Sequence, residues 1–182
     1  MSLSNLKMNN QHLNNYPKIY VASLSDYNLG ILHGRWIDAI QEPDEIHDQI
    51  QEMLKESKQP IAEEWQIDDY SGFFNITLSG HESMETVSKI AQGIYEYGEA
   101  FAAYVDMKGG MDYVNYDDFM DSYQGEYESE VEFAEELMGS CYEIPKNLEP
   151  YIDYEKFARD LFMSDYTTTR SSSYSYHIFR ND

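Results

Sequence analysis

The chain reads as an α+β protein, and three observations carry that expectation. Two β-branched and aromatic runs near the start flank a turn, helical apolar spacing fills the middle, and alternating polar and aromatic residues close the chain. The order implied is an N-terminal antiparallel sheet plus helix, a central helical domain and a C-terminal α+β domain. At 182 residues with 42% hydrophobic content, the chain has enough apolar matter for one good core or two or three small ones.

The first runs, KIYVASL (18–24) and ILHGRWI (31–37), are separated by SDYNLG. Asn28 and Gly30 tolerate the left-handed angles of a tight connection, so the pair predicts a hairpin. Pro43 then suits a helix first turn, and Ile46, Ile50, Met53 and Leu54 fall on one helical face. Asp44, Glu45, Asp48, Glu52 and Glu56 fall on the other. A third run, EEWQIDDY (63–70), closed by Ser71 and Gly72, completes a small sheet carrying that helix.

From His81 to Met107 the spacing of Met84, Val87, Ile90, Ile94, Tyr97, Phe101 and Tyr104 is helical. Gly93 and Gly98 weaken it and predict two shorter helices, ended at Lys108-Gly109-Gly110. A short acidic helix through YDDFMDSY follows, and SYQGEYES reads as either a strand or a loop. From Glu128 to Met138, Val131, Ala134, Leu137 and Met138 share one side of a helix for which Gly139 is the expected stop. Asp153 is the expected N-cap of a helix with a buried stripe of Tyr154, Phe157, Ala158 and Leu161, and DYTTTRSSSYSYHIFR predicts a terminal hairpin.

Charge dominates the chemistry. Thirty-four acids against twelve bases leave −22, which disfavours nucleic acid as a direct ligand, because phosphates require clustered Lys and Arg. The window from Gly109 to Pro145 holds eleven acids and no base. Cys141 is the only cysteine, which excludes an intrachain disulfide and fits a reducing cytosol. The polar, Asn-rich residues 1–15 read as a disordered extension, and no apolar run is long enough to span a membrane.

Catalytic apparatus is hard to find. HExxH, GxSxG, GxxxxGK[ST] and GxGxxG are all missing, and the five histidines have no local ligand spacing. An EF-hand frame begun at Asp117 puts Phe119 and Ser122 where a ligand and a glycine belong, so it fails. No metal or cofactor is called for, and paired carboxylates for acid/base work are not singled out by spacing in so acidic a chain. On composition alone the acidic segment is a solvated face. Its density also permits a second reading: at about one charge per 1.7 Å of duplex, 22 net charges would cover roughly 37 Å, or about 11 base pairs.

Two stretches bear on that choice. PKIYVASLSDYNLGILHGRWIDA (17–39) and IPKNLEPYIDYEKFARDL (144–161) resemble, in order and spacing, the opening and late signatures of the ArdA antirestriction proteins. The positions that match are Tyr20, Tyr27, Asn28, Gly34, Trp36, Pro145, Leu148, Tyr151, Ile152, Asp153, Tyr154, Arg159, Asp160 and Leu161, most of them read as fold-makers. The middle, from about Gly80 to Gly125, matches only in helical pattern and acidity.

The resemblance implies an elongated chain of three small domains: 16–80, 81–120 and 121–182, the last dimerising. It further implies a non-enzymatic, bacterial cytoplasmic protein of mobile genetic elements. As a homodimer it would mimic bent B-form DNA and occupy the DNA-binding groove of a type I restriction-modification enzyme, at its methyltransferase core. The expected partner contacts are Asp44, Glu45, Asp48, Glu52, Glu63, Glu64, Asp68 and Asp69, followed by Asp112, Asp117, Asp118, Asp121, Glu126, Glu128, Glu132, Glu135 and Glu136. The alternative is an acidic interaction module for another basic DNA-binding protein, a nucleoid protein or a nuclease.

Overall fold

The computed structural model describes residues 16–181; the expectation for residues 1–15 lies outside them. The fold is α+β, with two small three-stranded antiparallel sheets in two compact units, one through Val114 and one from Asn115 onward.

The first unit builds on strand β1 (Lys18–Ser23), which lies between β2 (Gly34–Asp38) and β3 (Trp65–Ser71). The expected hairpin forms, with Ile19 opposite Ile37 and Tyr20 opposite Trp36. Its connection is not tight: one helical turn, α1 (Leu24–Tyr27), follows β1 directly, Asn28 keeps an ordinary helical φ of −63°, and only Gly30 is left-handed at +73°. Helix α2 (Pro43–Lys55) buries Ile46, Ile50, Met53 and Leu54, as its spacing predicts. Ile19, Val21 and Ile37 are buried with them, their alternation along the strands giving the sheet its apolar face.

The connection after β3 buries Phe73, Ile76 and Leu78, core residues that no periodicity announces. Two helices follow, α3 (Met84–Tyr97) and α4 (Glu99–Lys108). Gly98, with φ +67°, makes the break between them. Gly93 has a different cause: a Cβ there would stand 2.2 Å from the Phe101 ring, so the glycine lets α4 close onto α3. Ser88 Oγ donates to the Gln41 carbonyl at 2.7 Å, tying α3 to the segment before α2.

In the second unit, α5 (Tyr116–Ser122) runs straight into β4 (Tyr123–Tyr127), which resolves SYQGEYES as a strand. Helices α6 (Glu130–Cys141) and α7 (Tyr154–Phe162) and the hairpin β5 (Tyr166–Arg170) and β6 (Tyr176–Arg180) complete it, with β6 central. Asp153 caps α7 by accepting the Lys156 N–H at 2.9 Å.

Two expectations need correction. Gly139 does not stop its helix, which continues to Cys141. Of the two apolar stripes expected here, only Ala134 and Ala158 are buried, while Val131, Leu137, Met138, Tyr154, Phe157 and Leu161 stay half-exposed, because neighbouring elements cover only part of each face. Among the positions that match the two signatures, Tyr27, Leu148 and Tyr151 are 54%, 51% and 84% exposed.

Candidate functional site

All seventeen carboxylates expected to contact a partner are exposed. Those on α2 follow from its amphipathic register: burial of Ile46, Ile50 and Met53 turns Asp44, Asp48 and Glu52 outward at i, i+4 and i+8, about 6 Å apart along the axis. Asp44 and Glu45 lie in the first turn, where the helix dipole favours anions, and the Glu45 carboxylate accepts the Glu42 N–H at 3.3 Å. The far end of the row is partly neutralised. Arg35 bonds Glu56 at 2.8 Å and reaches Glu52 at 3.5 Å, so Glu52 is a weaker candidate than Asp44 and Asp48.

On β3, alternation should expose only one of Asp68 and Asp69. A β-bulge solves this: Tyr20 faces Asp69 while Val21 faces Ile67, which leaves Asp68 as the extra residue, and both aspartates are exposed. Asp68 accepts a hydrogen bond from the Gln66 amide, and Asp69 accepts the Tyr70 N–H at 2.8 Å. Glu63 and Glu64 precede this strand. Asp112 lies in a short 3-10 turn, Met111–Tyr113, at the end of the first unit.

In the second unit, Asp117 and Asp118 open α5, with Asp121 one turn on, and Asn115 caps the helix by accepting the Asp117 N–H at 3.0 Å. Glu132 is held by the Glu128 N–H at 2.7 Å, and its own N–H donates to Ser129 Oγ at 3.1 Å. Glu136 lies one turn beyond Glu132, beside Glu135. The aromatics of this stretch fix that surface from below. Phe119 is fully buried, stacked on Tyr123 at 5.5 Å and set against Phe179. Phe133 is the hub of a second cluster with Tyr127, Phe162 and Tyr166 at 5.2, 5.9 and 4.8 Å.

Tyr127 is a link between core and surface. Burial, then the charges of Glu136 and Glu132, raise its pKa. Burial and the Glu126 charge likewise push Tyr123 up, and its hydroxyl lies 3.2 Å from His177 Nδ1. Tyr113 departs from this pattern at 74% exposure.

Glu126 differs from the other sixteen. It accepts hydrogen bonds from Ser173 at 2.7 Å and from Ser175, fastening β4 to the turn before β6. Burial pushes its pKa up, but the hydroxyls of Ser175, Ser173 and Ser171 outweigh it and hold the carboxyl below its ordinary value. Its main role is therefore internal. Glu85, Glu96 and Asp106 are exposed acids on α3 and α4 that the sequence reading passed over. Their spacing opposite the apolar stripe was the available signal.

Several cations are engaged within the chain. Lys18 stands over Trp36 at 5.2 Å, Lys108 over Tyr104 at 5.4 Å and Arg170 over Tyr174 at 5.4 Å. A shallow cleft of about 360 Å³ in the first unit is lined by Tyr16, Asp38, Ile40, Gln41 and Tyr95, with one carboxylate among them. Among the described residues no three His, Cys, Asp or Glu side chains are grouped to hold a metal ion. Among those residues, too, no helix is long and apolar enough to cross a membrane.

Fold and surface together describe an acidic α+β protein, with exposed carboxylates on helix faces, a bulged strand and their flanking turns. Comparison with known families is more specific. Residues 19–176 match the family described as Antirestriction protein (ArdA), and the chain belongs to that family. Antirestriction function, and interaction with restriction enzymes, follow from that membership. Comparison with curated proteins returned no match.

Proposed function

We propose that this protein inhibits type I restriction-modification enzymes by mimicking bent B-form DNA, occupying the groove in which the methyltransferase core binds its substrate. The observation that supports this reading is the exposure of all seventeen expected carboxylates, sixteen of them left available to a partner once Glu126 is assigned to Ser173 and Ser175. Lys and Arg that clamp phosphates would meet these rows, and inhibition would be competitive, with no catalytic step. The reading divides the chain into functional segments 16–80, 81–120 and 121–182 and places its action in the bacterial cytoplasm.

The acting form is a homodimer joined through the C-terminal segment. The half-exposed apolar faces of α6 and α7, with Leu148, Tyr151 and Met163 exposed beside them in sequence, support this. A dimer carries 44 net charges, equivalent at duplex density to roughly 75 Å or 22 base pairs, which suits a target that embraces a long stretch of DNA. Sedimentation at micromolar concentration should give twice the chain mass, and a monomer there would remove the dimer from the mechanism.

The direct test is competition between the purified protein and DNA for a type I methyltransferase core complex. Reversing Asp117, Asp118, Asp121 and Glu132 to Lys together should weaken inhibition tenfold or more, and an unaffected quadruple variant sinks the mechanism. Inactivity of the unaltered protein at low salt would instead favour a nucleoid protein or a nuclease as the basic partner.

A further inference from the structure

Resting on the mimicry proposed above, we infer that the β1–β2 connection is a preformed apolar knob, made by Tyr27, Leu29, Ile31 and Leu32, that enters a base-rimmed apolar pocket on the same enzyme. These side chains are 54%, 64%, 46% and 78% exposed. Single exposed apolar residues are ordinary on any surface; four within six positions are not. A phosphate-backbone mimic has no use for them as such.

The loop is built rather than loose. The Asp26 carbonyl accepts the N–H groups of both Leu29 and Ile31 at 3.0 Å, and the Tyr27 carbonyl accepts that of Gly30 at 2.9 Å. Asp26 is itself fixed: it is 2% exposed, and its carboxylate accepts the Ser57 hydroxyl at 2.6 Å. The Ser23 N–H closes the loop on the His33 carbonyl at 2.9 Å. These bonds constrain the backbone of the segment, which lowers the ordering cost of a contact made through it.

Charge identifies the partner surface. The Leu24 N–H donates to the Glu64 carbonyl at 3.0 Å, and Ser25 Oγ donates to the Ile61 carbonyl at 2.9 Å. These bonds bring exposed Glu63, Glu64 and the 70% exposed Ile61 to the base of the loop. An apolar knob fringed by carboxylates fits an apolar pocket rimmed by Lys or Arg. The same fringe opposes an anionic lipid surface, and it opposes the identical loop of a second copy, which bears the same carboxylates. Exposed ion pairs contribute little each, whereas buried apolar anchors concentrate affinity. The knob would thus give the inhibitor a contact that competing DNA lacks.

The test uses the full chain in the same competition assay. Leu29→Ser/Ile31→Ser/Leu32→Ser should inhibit at least tenfold more weakly, with the salt dependence of inhibition unchanged; the charge-reversed quadruple variant should flatten that dependence. Leu32→Arg, altering the most exposed position, should reproduce the loss if the triple variant fails to fold by circular dichroism. Inhibition by both loop variants within twofold of the unaltered protein overturns the knob while leaving mimicry intact. Unaltered protein that fails to compete at low salt overturns both. Loop variants that turn a dimer into a monomer, or that lose binding to phosphatidylglycerol vesicles shown by the unaltered chain, would reassign the loop to self-association or to lipid and overturn the enzyme contact.

Discussion

The unit that ends at Val114 and the one that begins at Asn115 carry equal charge on unequal foundations. The first has 18 acids and 7 bases, the second 16 and 5, so each bears −11, but the second does so with 68 residues. Of the 31 buried apolar residues among those described, 25 lie in the first unit and six in the second. The first therefore sustains its acids over a conventional aliphatic core built from Ile19, Val21, Ile37, Ile46, Ile50 and the α3–α4 pair. The second relies on two aromatic clusters and on apolar helix faces left half-exposed. High charge can be borne by a small unit only if a few large rings, or a second chain, supply the missing burial.

Removal of an aromatic ring should have the largest effect. Phe133→Ala should cost about 3–5 kcal/mol and unfold the second unit, because Tyr127, Phe162 and Tyr166 all pack on that side chain. Phe73→Ala, a similar deletion in the first unit, should lower its melting temperature and leave it folded. Calorimetry or hydrogen exchange resolved by segment distinguishes the two, and equal responses would erase the asymmetry.

Acid should affect the two units through different carboxyls. Hydroxyls of Ser57 and then Ser23 hold Asp26 below its ordinary value of 3.8 in the first unit, and serines hold Glu126 below 4.5 against the upward push of burial in the second. A carboxyl whose folded pKa is lowered stabilises the fold above its unfolded value, and that contribution fades as pH falls through the folded value. The first unit should lose this contribution as pH falls below about 3.8, and the second as it falls below about 4.5. Asp26→Asn should flatten the decline in the first unit and Glu126→Gln in the second, as measured by denaturant midpoints across pH.

The smallest effect belongs to single surface acids. Asp48→Asn on α2 should change inhibition by less than about twofold, because one exposed charge pair contributes on the order of 0–1 kcal/mol. A tenfold loss from that change alone would mean that affinity is concentrated at one point rather than spread along a row.

Much of this was legible in the chain. The stripe of Ile46, Ile50, Met53 and Leu54, the cap at Asp153, the paired runs at 18–24 and 31–37 and the terminal hairpin follow from backbone sterics and side-chain periodicity, which act between near neighbours. The outward direction of the carboxylates on α2 and α6 follows from the same periodicity, since burying one helix face exposes the other. Family-specific spacing in the two signature blocks was equally local.

Other features arise only from contacts between distant parts of the chain. Nothing near Asp68 in sequence announces the bulge that exposes it together with Asp69, because the bulge exists only against Tyr20 and Val21. Gly93 and Gly98 look equivalent in the chain, yet Phe101 makes one a site of close packing and a positive φ makes the other a break. Glu126 resembles its neighbours until Ser173 and Ser175, nearly fifty residues away, claim its carboxylate. Periodicity specifies which side of an element faces inward; what each side then meets depends on contacts between residues that only folding brings together.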